Sequence, residues 1–267
     1  MTLPAVPDTF LWTEEPWGAA LRCHPLGAIA THRFTTRQLD VTGEAGGAAL
    51  ASALGVAVGR VWRVRQVHGN QVIVARGDAP AERAEADALV SDDPTVALAV
   101  LAADCVPLLM ADSRTGAVAA VHAGWRGTAA RAGIAAIEAM TREFGTRPED
   151  LVAAIGPAIG PCCYEVGTEL VVAFAAAGHE RYLIDRWFIS LPPRRGEPRS
   201  AVPGLRLDVP GSNRDQLILA GVPEDRIHVS GLCTAMHLDV LTSYRAEKEK
   251  AGRLAAAIRS PFPRKAP

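Results

Sequence analysis

Side chains that bind metals or attack electrophiles stand where apolar residues are expected. Residues 96–128 read VALAVLAADCVPLLMADSRTGAVAAVHAGWRGT, with Asp104 and Cys105 inside one apolar run and His122 ending another. An ionisable group in such a run requires a partner, a metal or a shifted pKa, so the cluster marks a candidate site. His68, in RQVHGNQV at 65–72, is a third residue of the same chemical type as Cys105 and His122. Cys and His are donors that zinc favours, and three protein ligands leave one position open for water or substrate. The separations of 37 and then 17 residues follow no local zinc-finger spacing, so the fold must bring the three together. The same residues also allow a Cys/His nucleophile pair, Cys105 with one histidine. A buried thiol and a satisfied core histidine is the third possibility.

The segment HAGWRG, 122–127, sits between a strand and a helix. Its glycines let the backbone approach a ligand, and a helix start offers free N–H groups to an anion, with Arg126 close by. An ordinary strand-to-helix turn with an exposed arginine reads the same way. There is no phosphate-loop signature and no dinucleotide-binding glycine fingerprint. Zinc nucleobase deaminases carry H-x-E and P-C-x-x-C. Here Pro161-Cys162-Cys163 runs into Tyr164 and Glu165, and His68 into Gly69 and Asn70, so that motif is excluded. Cys162, Cys163 and Cys233 read as packing residues, and His24, His32, His179 and His228 as structural or solvated.

The elements that must position these groups follow from composition and pattern. With 267 residues, 49% of them hydrophobic, the chain can bury a large core. The balance of 28 basic against 29 acidic residues leaves no field for nucleic acid or an anionic membrane. The apolar stretch 96–111 is interrupted by Asp104 and Pro107 and is shorter than the roughly 20 residues that span a bilayer. The N-terminal residues show no export signal, so a cytoplasmic protein is expected. Five cysteines, an odd number with only Cys162 and Cys163 close together, point to thiols or ligands rather than disulfides.

After a loose start, a strand is expected over 28–34, a helix near 47–54, and two β-rich runs around a turn at 68–70. The pattern over 96–122 reads strand, turn, strand, with the turn at 112–116. Ile134, Ile137, Met140 and Phe144 would share one face of a helix spanning 128–144. A strand at 151–156, a helix at 167–177, a mobile loop at 192–203, a strand LRLDV, a helix near 210–220 and a strand IHVSG follow. The alternation predicts a single α/β domain with mixed sheets.

Several motifs in order carry a resemblance: RQVHGNQV, ADALVSD (86–92), AADCVPLLMAD (102–112), HAGWRGT (122–128), IGPAIGPCCYEVG (155–167), and CT followed by SYR and GR. Together they resemble the laccase-domain, or polyphenol oxidase-like, family, now described as multifunctional purine nucleoside phosphorylases. The match covers about 28–260, leaving 1–27 as an N-terminal extension and 261–267 as a C-terminal tail. The resemblance implies a layered α/β/β/α sandwich, with His68, Cys105 and His122 as ligands of a metal, usually zinc. It also implies phosphorolysis of adenosine, inosine and methylthioadenosine, and hydrolytic deamination of adenosine. Nucleosides and phosphate would then be the partners; oligomeric state is not legible.

The family's early FSTR-type motif is FTTR here, ending in Arg37, and its late FFSYRRDG-x-TGR pattern is LTSYRAEKEKAGR, with Ala246 replacing the second arginine. On this basis Arg37 and Arg245, with Arg126 and the turn at 124–128, are expected to seat phosphate. Asp104 is expected to carry a proton or to orient a histidine ligand, and Cys105 to serve the chemistry directly. Phenol oxidation is attributed to some family members, and copper competes with zinc for N and S donors. The His-x-His pairs of the usual multicopper enzymes are absent. A non-enzymatic metal-carrying module is the remaining alternative.

Overall fold

The computed structural model describes residues 2–190 and 204–260, so the loop expected at 192–203 lies outside the described residues. In chain order the strands are β1 (Phe10–Glu15), β2 (Gly18–Cys23), β3 (Thr31–Thr35), β4 (Val61–Trp62), β5 (Val72–Val74), β6 (Ala88–Ser91), β7 (Ala97–Ala102), β8 (Val106–Asp112), β9 (Val118–Ala123), β10 (Leu151–Ile155), β11 (Glu165–Val166), β12 (Phe188–Ser190), β13 (Leu205–Leu207), β14 (Ile227–Val229) and β15 (Leu254–Arg259). The helices are α1 (His24–Gly27), α2 (Glu44–Leu54), α3 (Trp125–Ala129), α4 (Ala132–Phe144), α5 (Thr168–Ala176), α6 (Arg181–Trp187), α7 (Val209–Leu219) and α8 (Tyr244–Glu247).

Two six-stranded mixed sheets, ordered β1-β2-β3-β15-β7-β4 and β14-β10-β8-β9-β6-β5, pack face to face, and a small third sheet joins β11, β13 and β12. Strand parity builds the layers, because successive side chains point to opposite faces. Leu98 and Val100 of β7 meet Leu109 and Ala111 of β8 and Ala120 of β9 in the core between the sheets. Ala97 and Ala99 point the other way, onto Leu50 and Leu54 of α2. Leu108, Met110, Ala119 and Val121 face Ile137 and Met140 of α4 and Leu217 of α7. The order is therefore helix, sheet, sheet, helix, the α/β/β/α sandwich. Strands covered on both faces carry apolar residues at every position, which explains the unbroken runs in the sequence.

The same two-sided burial hides where strands end. The stretch expected as strand, turn, strand over 96–122 contains three strands, because the chain leaves the first sheet after Ala102 and enters the second at Val106. Asp104, with φ of 94°, makes that crossover. The β-rich runs around His68 are likewise split, β4 lying in the first sheet and β5 in the second. Three further differences have local causes. The loose start contains the β1–β2 hairpin, paired through β2 to β3, with Leu21 and Cys23 fully buried. The helix expected over 128–144 is divided into α3 and α4 by Arg131, which has φ of 60°. The strand β15, central to the first sheet, was not expected because LAAAIR has weak β propensity. Small residues suit that position, with α2 on one face and the second sheet on the other.

Because Leu109 is fully buried in the inter-sheet core, Leu109→Ala should destabilise the protein by about 2–5 kcal/mol. Urea denaturation measures this, and a loss well under 1 kcal/mol would show that the two sheets do not share one packed core.

Candidate metal centre and cavity

Two of the three Cys and His residues lie where the chain passes between the sheets. His68 sits in the β4–β5 crossover and Cys105 in the β7–β8 crossover. His122 lies near the end of β9, opposite Pro107 of β8, and by parity shares the inter-sheet face with Val118 and Ala120. Their potential ligand atoms all fall within 4.8 Å of one another. The imidazole rings of His68 and His122 meet edge to face at 4.9 Å between centroids.

One carboxylate organises the group. Asp87, fully buried just before β6, places Oδ1 2.8 Å from Nδ1 of His122. The same carboxylate accepts backbone N–H bonds from His68 at 2.9 Å, Gly69 at 2.6 Å and Val67 at 3.2 Å. It thereby fixes the histidine ring and holds the turn that carries the other histidine, whose backbone has φ of 62°. Gly127 of α3 packs on that turn, where a Cβ would lie 3.2 Å from the Gly69 carbonyl oxygen. Asn70 Nδ2 donates to the Ala130 carbonyl at 2.8 Å, closing the arrangement.

Electrostatics follow this geometry. Burial alone would raise the Cys105 thiol, but hydrogen bonds with His122 and His68 outweigh it and draw the thiol down to about 6. Burial opposes charge on His122 too, yet hydrogen bonds to Asp87 and Cys105 push that imidazole up to about 9. For Asp87, desolvation is overcome by His122 and the backbone amides, so its carboxyl lies below the ordinary range. Metal-free, the cluster thus pairs a thiolate with an imidazolium.

The donor set fits a zinc-like ion. Two imidazoles and a thiolate are borderline and soft donors, three in number, with room for one more group. With Nδ1 held by Asp87, His122 keeps Nε2 for coordination, the arrangement that metal-binding histidines commonly show. Space agrees: a Cβ at Gly124 would lie 2.7 Å from Cys105 Sγ and 3.3 Å from His68 Cδ2, so only glycine leaves the cluster open there.

The cluster forms part of the wall of a cavity of about 650 Å³, which Trp125, Arg126, Tyr164, Tyr244, Arg245, Lys248 and Arg253 also line. Arg126 lies over Trp125 at 4.2 Å and Arg245 over Tyr164 at 4.8 Å, both close enough for cation–π attraction. Arg245 further donates to the Glu165 carbonyl at 2.9 Å.

The other expected site residues fall differently. Arg37 is not among the cavity residues; its guanidinium bonds the carbonyls of Leu238 and Leu241 and pairs with Glu247. It braces the loop before α8 instead of facing an anion. Asp104 reaches the cavity but orients no histidine, since Oδ1 accepts from Thr234 Oγ1 and Oδ2 from the Arg245 backbone N–H, each at 2.6 Å. It ties the crossover to the segments carrying Thr234 and Arg245. The orienting role belongs to Asp87, which the sequence showed only as a member of ADALVSD; a lone acid against an apolar strand was the available signal. The anion seat expected at 124–128 is closed at Thr128, which is fully buried. Its N–H bonds to Gly124, its hydroxyl accepts from Asn213, and its carbonyl accepts from Gln216. Lys248 and Arg253, which lie in the stretch LTSYRAEKEKAGR, also line the cavity and were not among the expected site residues.

Fold and cluster together define a two-sheet α/β protein with a His₂Cys donor set in the wall of an open cavity. The sequence matches the family described as multi-copper polyphenol oxidoreductase laccase over residues 42–260, and the chain belongs to that family. A Deinococcus radiodurans protein named purine nucleoside phosphorylase is 41% identical over 214 residues, 80% of this chain and 76% of that protein. The adenosine deaminase RL5, from an unknown prokaryotic organism, is 35% identical over 193 residues, 69% of each chain. The crystal structure of YlmD from Geobacillus stearothermophilus superposes with a TM-score of 0.79 at 30% identity, covering 96% of this chain and 100% of that one.

In metal-free protein, alkylation of Cys105 should accelerate through a midpoint near pH 6, because the thiolate is the reactive form. His122→Asn removes the stabilising partner and should move that midpoint up toward the ordinary value of 9.0. Peptide-resolved mass spectrometry separates Cys105 from the other thiols; an unmoved midpoint refutes the pairing. Asp87→Asn should weaken metal retention about 10–100-fold, read by competition with a chelator.

Proposed function

We propose that this protein is a zinc-dependent purine nucleoside phosphorylase, acting on adenosine, inosine and methylthioadenosine, that also deaminates adenosine. The observation that carries this reading is the convergence of His68, Cys105 and His122 in the wall of a cavity that four cationic side chains also line. The names of the relatives, purine nucleoside phosphorylase and adenosine deaminase, support the substrate class. Free cysteines among the described residues suit the reducing cytoplasm. A cavity of about 650 Å³ lies within the range of about 300–1,000 Å³ usual for small-ligand sites.

His68, Cys105 and His122 would hold the zinc, which when bound supplies Lewis acidity toward a base atom or a water molecule. The chain's own groups account for the rest. Phosphorolysis breaks the glycosidic C–N bond and joins the sugar carbon to a phosphate oxygen through a cationic, oxocarbenium-like state. Arg126, Arg245, Lys248 and Arg253 provide charge to hold the anion beside that carbon. Arg245 is restrained by Tyr164 and the Glu165 carbonyl, so less freedom is lost when it binds. Trp125 and Tyr244 offer flat faces for a purine. Burial, followed by the charge of Cys105, pushes the Tyr164 phenol up to about 12, so it keeps its proton at neutral pH and can donate a hydrogen bond. Asp104, with both oxygens engaged, acts as a positioning residue for Arg245.

A second reading has its own observation: Asp87, His122 and Cys105 form a chain of contacts like that of a Cys/His hydrolase, with the thiol already drawn down to about 6.

Protein purified without added metal should carry about one zinc per chain. It should consume inosine and methylthioadenosine only with phosphate, and deaminate adenosine without it. Cys105→Ala should lose both activities, and full phosphorolysis of inosine by that variant without metal refutes the proposal. Stoichiometric alkylation of Cys105 in zinc-loaded protein, with loss of activity, selects the hydrolase reading instead. Arg245→Ala should raise the KM for phosphate by about 10–100-fold, the equivalent of one charge-assisted hydrogen bond.

A further inference from the structure

The three cysteines that read as packing residues form a second donor cluster. Cys162 and Cys163 follow β10 in one turn, Cys233 follows β14, and the three sulfurs lie within 4.8 Å of one another. The segments are joined by the Ala158–Cys233 bridge, with Thr234 N–H donating to Ala158 O at 3.0 Å. Gly160 N–H points at Cys233 Sγ at 3.3 Å, and Cys163 N–H closes the turn on the Gly160 carbonyl at 3.0 Å. A Cβ on Gly160 would stand 3.4 Å from Cys162 Sγ and 3.8 Å from Cys233 Sγ, so the turn follows the sulfurs closely. Cys162 is exposed and Cys233, which is buried, borders a second cavity of about 290 Å³.

We propose that Cys162, Cys163 and Cys233 constitute a second metal site, selective for a soft monovalent ion of the copper(I) type. The donor set decides the ion. Sulfur-only ligation favours soft metals, and this group offers three thiols with no imidazole or carboxylate donor among the described residues. The first cluster, with two imidazoles, differs from it in kind. Each coordinating thiol would release its proton to solvent as the ion binds. The charge of Arg206, which acts on Cys163, offsets part of the negative charge of the loaded site. In sequence the site adjoins residues of the first cavity: Cys163 precedes Tyr164, which lines it, and Cys233 precedes Thr234, which donates to the cavity residue Asp104.

The test titrates reduced, full-length, zinc-loaded protein anaerobically with copper(I) against a chromophoric copper(I) chelator. One further equivalent per chain is expected, with an all-sulfur shell by X-ray absorption and protection of Cys162 and Cys163 from alkylation. Cys162→Ser, an exposed position, should lose that equivalent while retaining zinc and the circular dichroism of the parent. A His68→Ala/Cys105→Ala variant should keep it, which separates this site from the one proposed for catalysis. Absence of the extra equivalent overturns the proposal, as does its survival in Cys162→Ser/Cys163→Ser. Tighter binding of zinc than copper(I) at these sulfurs, or their conversion to a disulfide that takes up no metal on reduction, overturns it equally.

Discussion

The buried carboxylate of Asp87 is the contact on which the site's arrangement depends. It meets the His122 ring and three consecutive backbone N–H groups of the His68 turn, so one side chain sets the position of two of the three donors. A fully buried anion is unfavourable unless it is paired and hydrogen-bonded. Here every requirement is met by groups that are themselves short of partners: turn amides with no strand to join, and an imidazole at the end of an inter-sheet core. Removing the carboxylate would strand the buried His122 ring N–H, at about 1–3 kcal/mol, and leave the three turn amides without their acceptor. The third donor, Cys105, needs no such clamp, because the short crossover between two strands confines it.

The sandwich explains why chemistry collects at this edge. Between the sheets, Leu98, Val100, Leu109 and Ala120 exclude polar groups, and at the outer faces helices do the same. Polar side chains can gather only where strands end and the chain passes from one sheet to the other. The β4–β5 and β7–β8 crossovers are such places, and Tyr244 and Arg245, from the segment after β14, line the same cavity. Asp104 links these parts, accepting from Thr234 and from the Arg245 backbone. Thiolate and imidazolium thus share the cavity wall with the cationic side chains of Arg126, Arg245, Lys248 and Arg253.

Much of the site was legible in the residues alone. Cys105 and His122 stood out because apolar runs do not carry ionisable groups without cause, and His68 because its turn interrupts β-rich sequence. Arg126 and Arg245 were found on the cavity, while Arg37, equally visible as a motif residue, turned out to brace a loop. Asp87 escaped because a single acid before ALV resembles a strand boundary. The packing reading of Cys162, Cys163 and Cys233 concealed a cluster whose members lie some 70 residues apart, joined only when β10 and β14 pair in parallel.

By itself the sequence determined the types of chemistry available, the two-sided burial of the central strands and the alternation that yields mixed sheets. These are local properties, set by side-chain character and by a period of two along each strand. Only the tertiary structure decided which polar residues meet. An apolar run looks the same whether it continues in one sheet or crosses to another, so the break at Asp104 and the donor set it creates became definite only when the two sheets packed. The division of labour between Asp87, which orients, and Asp104, which ties, has the same origin. Both are buried or half-buried acids next to apolar strands, and what distinguishes them is the set of N–H and O–H groups that distant parts of the chain bring within 3 Å.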